Sequence, residues 1–336
     1  MRKLSGWQKA GLIAGVGCFS ILGVLVIGLV VAVVWARSTI ADLGDTTPAT
    51  VERTIPVASA VDASPVPPAG PAAPSGSATP PATPAANERP LNLTLDLQEG
   101  SFTIRPGPPG SQVQVQGTFA PGLYELTENH DAATRSSAIR FRAKAPMWAR
   151  ILSGIGGGDD SRDRPELTVL IPPATPMNLT LRLSMGESRI DLGGLDLGDV
   201  SVDASMGEYR LDFGQPVTGS VRRLRLDTSM GNVSLDNLGN ARPQTVETAA
   251  SMGNLTADLG GAWTPGSDAA LSFTQSMGEM TLRVPSGLRL ETDFRNAEGQ
   301  PSDRPAVEPD ASTDPNAPLL RLRVTSSMGE TRVIRY

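Results

Sequence analysis

The sequence predicts an all-β protein, and more specifically a single-chain β-solenoid, a coil of short strands that resembles a β-helix. Three observations support this. The tripeptide Ser-Met-Gly occurs six times, and its first five copies start 21 to 25 residues apart. On both sides of each copy, apolar residues alternate with polar ones, as in a strand with one buried face. The chain is also rich in Gly (35) and Pro (29) and has only 4% aromatic residues, a composition typical of short strands joined by turns.

Each repeat of roughly 23 residues is interpreted as one coil, or rung, of the solenoid. In the first rung, the inward positions before the tripeptide are Leu179, Leu181 and Leu183, and those after it are Ile190 and Leu192. A single rung cannot bury its inner face alone. Neighbouring rungs must therefore stack to form a core, over the range 177–336.

The tripeptide itself is interpreted as a structural corner between two strands. Gly would supply a backbone conformation that a side chain forbids, Ser would hydrogen-bond the turn, and Met would fill an irregular inner space. A column of thioethers could instead bind a soft metal or respond to an oxidant, but flanking strands explain the repeat without this. The predicted corner residues are Ser184, Met185, Gly186, Ser205, Met206, Gly207, Ser229, Met230, Gly231, Ser251, Met252, Gly253, Ser276, Met277, Gly278, Ser327, Met328 and Gly329.

The last interval between tripeptides is 51 residues, about two rungs, so one rung is expected to have lost its tripeptide. Its remnant is predicted at Leu288-Arg289-Leu290, followed by an acidic, Pro-rich insertion over about 291–318. The chain ends at Tyr336, soon after the last tripeptide, and the last strand is expected to be exposed. An exposed strand edge is a template for self-association or for a partner.

Residues 91–176 keep the alternation without the tripeptide and are expected to form an irregular first part of the solenoid. Glu99-Gly100-Ser101 resembles a divergent corner, as expected for a terminal repeat. A loop then carries four large apolar residues, Trp148, Ile151, Leu152 and Ile155. This loop is a candidate contact with a membrane or a partner, or else a cap over the open end of the core.

The N-terminal region predicts a membrane anchor. Residues 11–36 contain no charge and exceed the ~20 residues that cross a bilayer as a helix. Basic residues in 1–10 place that segment in the cytoplasm and the remainder outside. A cleaved signal peptide is the alternative, although its apolar region would be shorter. Residues 37–90 are rich in Pro and Ala and predict a disordered linker.

Composition excludes several functional classes. The net charge is -6, which argues against a nucleic-acid partner. One Cys and one His cannot form a disulfide framework or a Cys/His zinc site. Outward carboxylates such as Glu187 and Asp191 recur in several repeats and suggest a solvated face, or alternatively a cation or polysaccharide surface. We predict no catalytic residue, no metal site and no cofactor.

Two segments carry a resemblance to a known family. The run from Leu167 to Leu192, which reads LTVLIPPATPMNLTLRLSMGESRIDL, and the upstream QVQVQG at 112–117 resemble the toast-rack, adhesin-like β-strand-repeat proteins of bacterial envelopes. These families include the extracytoplasmic part of membrane-anchored regulators of the envelope stress response. Family members commonly carry Ser-Asn-Gly or Thr-Gly at the corner, so the Met here is a departure. The resemblance implies a fold and no catalytic residues.

Together these observations predict a non-enzymatic protein of the bacterial cytoplasmic membrane. It would span the membrane once through residues 11–36 and present an extracytoplasmic β-solenoid as an interaction, scaffolding or adhesive surface. The alternative, by resemblance, is a stress sensor that binds a membrane partner. A carbohydrate-active enzyme on a β-helix is a remote alternative, because the carboxylates recur along the chain rather than converging as one pair ~5–9.5 Å apart.

Overall fold

The computed structural model describes residues 48–55, 89–145, 164–296, 300, 312 and 314–336. This part of the chain forms thirteen strands and one short 3₁₀ helix, Leu238–Ala241, which confirms the all-β prediction. The strands are β1 (Ala49–Ile55), β2 (Leu91–Pro106), β3 (Val113–Phe119), β4 (Tyr124–Asp131), β5 (Ser136–Ala143), β6 (Glu166–Ile171), β7 (Met177–Asp191), β8 (Leu197–Asp212), β9 (Arg223–Asp236), β10 (Thr245–Asp258), β11 (Asp268–Val284), β12 (Arg289–Arg295) and β13 (Leu319–Arg335).

The strands form one large mixed sheet in the order β1-β3-β6-β2-β7-β8-β9-β10-β11-β13-β12, with β5 also paired to β2 and β4 paired to β5. From β2 through β13 the neighbours are parallel, whereas β3 and β6 are antiparallel. The described residues fall into two compact units. In the smaller unit, which includes 119–125 and 143–145, the Lys144 amide donates to the Leu123 carbonyl oxygen at 2.8 Å. The larger unit contains most of the sheet.

All six tripeptides lie in register on adjacent strands. Met185 of β7 is opposite Met206 of β8, and the pairing continues along β9, β10, β11 and β13. On the other side of β7, Gly100 is opposite Gly186, so Glu99-Gly100-Ser101 occupies the same place in β2.

The sequence analysis predicted that each tripeptide separates two strands, and the structure differs from that prediction. Each copy lies inside one continuous strand, because the parallel neighbours keep their pairing on both sides of it. The backbone nevertheless changes there, since Gly186 has a φ of 125°.

The core side chains change phase across the tripeptide. In β7, Leu179, Leu181 and Leu183 are buried at odd positions, whereas Ser188 and Ile190 are buried at even positions. The inward Leu and Ile positions predicted from the alternation are therefore confirmed. The shift of one residue lets both halves of the strand contribute side chains to the core.

The end of the repeat region differs from the prediction. The remnant Leu288-Arg289-Leu290 does lead into a strand, β12, but β12 pairs with the far side of β13 and does not lie between β11 and β13. In the sheet, β11 and β13 are therefore direct neighbours, although 51 residues separate the fifth and sixth tripeptides in the sequence. The predicted insertion begins too early, because Glu291–Arg295 belong to β12. β12 also covers the first half of β13, Leu319–Thr325, which was expected to be exposed.

The predicted linker, 37–90, contains one strand, β1, which neighbours β3. The N-terminus at 1–10, the predicted transmembrane helix at 11–36, the loop residues Trp148, Ile151, Leu152 and Ile155, and most of the insertion lie outside the described residues. In the described ranges, no helix has the length and apolar character needed to cross a membrane.

Candidate functional site

The outward face of the sheet carries a groove of about 440 Å³ across β10, β11, β13 and β12. Its outward positions, which define what we call the charged groove, are Thr245, Glu247, Ala270, Ser272, Glu291, Asp293, Arg321 and Arg323. On β10, β11 and β13 the residues that alternate with them, Val246, Leu271 and Leu322, are buried at 0 to 1% exposure. The groove is therefore open on the face opposite the core.

Strand register explains the shape of the charged groove. Ser272 lies opposite Glu247 on one neighbouring strand and opposite Arg323 on the other. Ala270 in turn lies opposite Arg321. Small side chains on β11 thus form the floor, with Thr245 and Glu247 of β10 on one side and two arginines of β13 on the other.

One wall of the groove is organised by ion pairs. Arg321 contacts Asp268 through Nη1 at 2.7 Å and Glu291 through Nε at 3.1 Å. Arg323 donates from Nε to Asp293 at 3.1 Å. The pKa of Asp293 is lowered, because the hydrogen bonds from Arg295 and Arg323 outweigh the opposing effect of burial. These exposed guanidinium and carboxylate groups can bind polar or charged groups of both signs.

The glycines of the tripeptides have a packing role. A β-carbon at Gly186, Gly207 or Gly253 would overlap with the carbonyl oxygen of the glycine at the same level on the preceding strand. All six also have positive φ, between 120° and 153°. Only glycine fits such a backbone at this separation.

The methionines of the tripeptides do not fill an inner space, and that prediction is wrong. They form one surface row, which we call the methionine row. Met185 is half-buried, and the other five are 37 to 62% exposed. The other two methionines of the described residues, Met177 and Met280, are fully buried. The tripeptide methionines are exposed because they lie at the phase shift, where the alternation of buried and outward side chains is interrupted.

The serines of the tripeptides also face outward. Ser205, Ser229 and Ser251 line a second depression of about 290 Å³, together with Asp203 and Asp227. Each of these serines directly precedes a residue of the methionine row. The second depression therefore borders the central part of that row.

Sequence reasoning did not identify the charged groove. The polar positions that alternate with the buried apolar residues of β10, β11 and β13 were visible as outward positions. The contribution of Glu291 and Asp293 was not visible, because it depends on β12 pairing beyond β13. The predicted interaction loop, which includes Trp148, lies outside the described residues.

The sequence matches no protein-family model and no curated protein. Two solved structures share low similarity with the chain. One is provisionally named a cell adhesion protein, from Clostridium sporogenes, with 8% identity, a TM-score of 0.38, and coverage of 86% of this chain and 100% of that one. The other is provisionally named an adhesin, from Bacteroides fragilis, with 10% identity, a TM-score of 0.32, and coverage of 86% and 97%. These identities are too low to indicate a shared function.

Proposed function

We propose that this chain is a non-enzymatic interaction protein that presents the outward face of its sheet to another envelope component. The observation that carries this proposal is the charged groove. Its volume of about 440 Å³ is similar to that of small-molecule pockets, roughly 300–1,000 Å³, and it is enough to admit one or a few side chains of a partner. Its floor of small side chains leaves room for a bound segment, and its charged walls fit a polar, extended partner such as a peptide.

We further propose that strands β7 to β11 are rungs of a β-solenoid. A straight strand of 15 residues spans about 46 Å at ~3.3 Å per residue. Only residues 192–196 connect β7 to β8, and they reach at most about 22 Å. Because Leu197 pairs with Met177 at the start of β7, this strand must bend. The positive φ of Gly186 supports a bend at the tripeptide.

The proposed location follows from the sequence alone. The uncharged segment 11–36 is long enough to span a bilayer once, and the basic residues before it favour a cytoplasmic N-terminus. The sheet would then lie outside the cytoplasmic membrane. A wide sheet surface held near the membrane suits scaffolding or adhesion.

Site-specific crosslinking in native membranes tests the proposal. A photoreactive residue replaces Ser272 in the floor of the charged groove of the full-length protein. We expect it to capture a specific envelope component, identified by mass spectrometry. Ala270→Arg, which fills the floor, should abolish this product.

The matched control is a photoreactive residue at Thr180, an outward, half-exposed position on β7 away from the groove. Equal products from Ser272 and Thr180 would show that the groove has no specific role. If Ala270→Arg leaves the amount of crosslinked product from Ser272 unchanged, the groove likewise has no specific role. If a membrane kinase or its regulator is the specific product, the partner assigns the protein to envelope stress sensing.

A further inference from the structure

The methionine row has a property that packing does not explain. The residues that flank the tripeptide differ between copies. The residue before Ser is, for example, Leu183 in one copy, Ala204 in another and Gln275 in a third, and the residue after Gly is Glu or Asn. Gly is retained in every copy because a side chain would overlap with the neighbouring strand. Met is also present in all six tripeptides, although five of the six side chains are exposed and meet no such steric requirement; at the same level of β2, Glu99 takes its place.

The thioethers form a regular array. Met206 is opposite Met185 on one side and Met230 on the other, and the row continues through Met252, Met277 and Met328. Neighbouring strands lie ~4.8 Å apart, and residues in register on parallel strands project in the same direction. Two ligands bound to one ion at ~2.3 Å, as for other metal–sulfur bonds, are at most about 4.6 Å apart. The unbranched, flexible Met side chain readily reaches such a separation.

Charge near the row favours a cation. The second depression places Asp203 and Asp227 beside the serines that precede Met206 and Met230. Asp227 is paired with Arg225 at 2.6 Å, whereas Asp203 interacts with Arg225 only at longer range, so Asp203 is the better placed of the two to offset a bound positive charge. On the other side of the row, Glu187 and Glu208 follow the glycines of β7 and β8.

The donor type selects the class of metal. Thioether sulfur is neutral and soft, and it favours Cu(I) over Zn²⁺, Ca²⁺ or Mg²⁺. Within the described ranges, no group of three or more His, Cys, Asp or Glu side chains could hold a metal ion. We propose that the methionine row binds Cu(I), with each ion held by methionines of adjacent strands.

An anaerobic competition assay tests this proposal with Cu(I) itself. Full-length protein in lipid nanodiscs is titrated into the coloured complex of Cu(I) with bicinchoninate, and the loss of colour reports the Cu(I) taken up. All versions carry Cys18→Ser, because a thiolate would bind Cu(I) on its own. Six sulfur atoms at two per ion give an expected uptake of about three Cu(I) per chain.

The test variant is Met206→Leu/Met230→Leu/Met252→Leu, which keeps the row apolar and removes its central sulfurs. Only Met277 and Met328 then remain adjacent, so uptake should fall to about one Cu(I) per chain. The matched control is Met177→Leu/Met280→Leu, which removes two buried sulfurs and should leave uptake unchanged. Circular dichroism establishes that all versions are folded.

X-ray absorption at the copper edge provides a second readout, with sulfur neighbours expected in the wild-type row. The proposal is overturned if wild-type protein takes no Cu(I) from bicinchoninate, if the triple variant takes as much as wild type, or if the bound copper has only nitrogen and oxygen neighbours. These outcomes are separate from the crosslinking result, because Ser272 and Ala270 are not part of the methionine row.

Discussion

A β-carbon on Gly231 would overlap with the carbonyl oxygen of Gly207 on the neighbouring strand. Gly231 also has a φ of 133°, in a region that side chains disfavour. The same relationship recurs along the sheet, from Gly186 against Gly100 to Gly329 against Gly278. A continuous row of close backbone contacts therefore runs through the strands at the point where the buried side chains change phase.

The first prediction concerns these close contacts between glycines. Gly231→Ala should lower the free energy of unfolding by roughly 2 to 4 kcal/mol, because it adds backbone strain and a clash that two strands must separate to relieve. Thermal unfolding followed by circular dichroism measures the effect.

Two other glycines separate the causes. Gly266 has a φ of 70° with open space around its α-carbon, so Gly266→Ala should cost only the strain, about 1 kcal/mol. Gly287 has open space and no positive φ, so Gly287→Ala should be close to neutral. If Gly231→Ala lowers the free energy of unfolding no more than Gly287→Ala does, the close contact between Gly231 and Gly207 does not affect stability.

The second prediction concerns an ion pair between β2 and β5. Arg142 donates from Nη2 to Asp96 Oδ2 at 2.7 Å, and the Asp96 side chain is only 12% exposed. Arg142→Ala should destabilise the protein by roughly 1 to 3 kcal/mol, because it leaves a largely buried carboxylate without this partner.

The matched variant is Arg222→Ala, which removes the Arg222–Asp199 pair of 2.8 Å, whose side chains are 59% and 50% exposed. Water solvates these groups when the pair is lost, so the cost should stay below about 1 kcal/mol. Equal losses in the two variants would show that burial of Asp96 has no role.

Sequence periodicity predicted the all-β class and the inward residues, because alternation follows directly from strand geometry. Leu179 and Ile190 are both buried for that reason. The same reasoning failed at Met206, since it assumed that the tripeptide turned its middle residue inward. The phase shift depends on the φ of a glycine, which the sequence pattern does not specify.

The position of β12 shows a second limit. Alternation identified the segment near Leu288 as strand-forming, but it could not indicate which side of β13 the strand would occupy. Pairing partners depend on the path of the connection rather than on local pattern. Glu291 and Asp293 line the charged groove only because β12 pairs with β13, so the groove could not be predicted from the sequence pattern.

The third prediction concerns Gln275, a buried polar residue next to a tripeptide. Its Nε2 donates to the carbonyl oxygens of Gly253 at 2.7 Å and Met277 at 2.8 Å, and the residue is 1% exposed. Gln275→Ala should cost about 1 to 2 kcal/mol, the value of the lost hydrogen bonds.

Gln275→Glu is the informative comparison at neutral pH. It has nearly the same size but replaces the donor with a carboxylate facing two carbonyl oxygens, so it should cost roughly 3 kcal/mol or more. Thermal unfolding of both variants measures the difference. A Glu variant as stable as the Ala variant would contradict the role given to the Nε2 donor.

The fourth prediction concerns the phenol of Tyr336. Its hydroxyl donates to Asp258 Oδ1 at 2.7 Å, and the Arg283 guanidinium lies 5.2 Å from the centre of its ring. Burial, followed by the hydrogen bond and the charge of Asp258, raises the pKa of Tyr336 from 10.0 to about 12.

A raised pKa means that the folded state favours the protonated phenol. The stabilisation is therefore fully present below pH 10 and is lost as the pH rises toward 12. Between these values, the melting temperature of the wild type should fall more steeply than that of Tyr336→Phe.

Absorbance at 295 nm, which follows tyrosinate, identifies the group directly. The chain has three tyrosines, and Tyr336→Phe should remove a component that titrates near pH 12. Asp258→Asn should shift that component to lower pH, because the hydrogen bond and the charge of Asp258 both raise the pKa of Tyr336. If Asp258→Asn leaves the titration unchanged, the hydrogen bond does not contribute to the pKa.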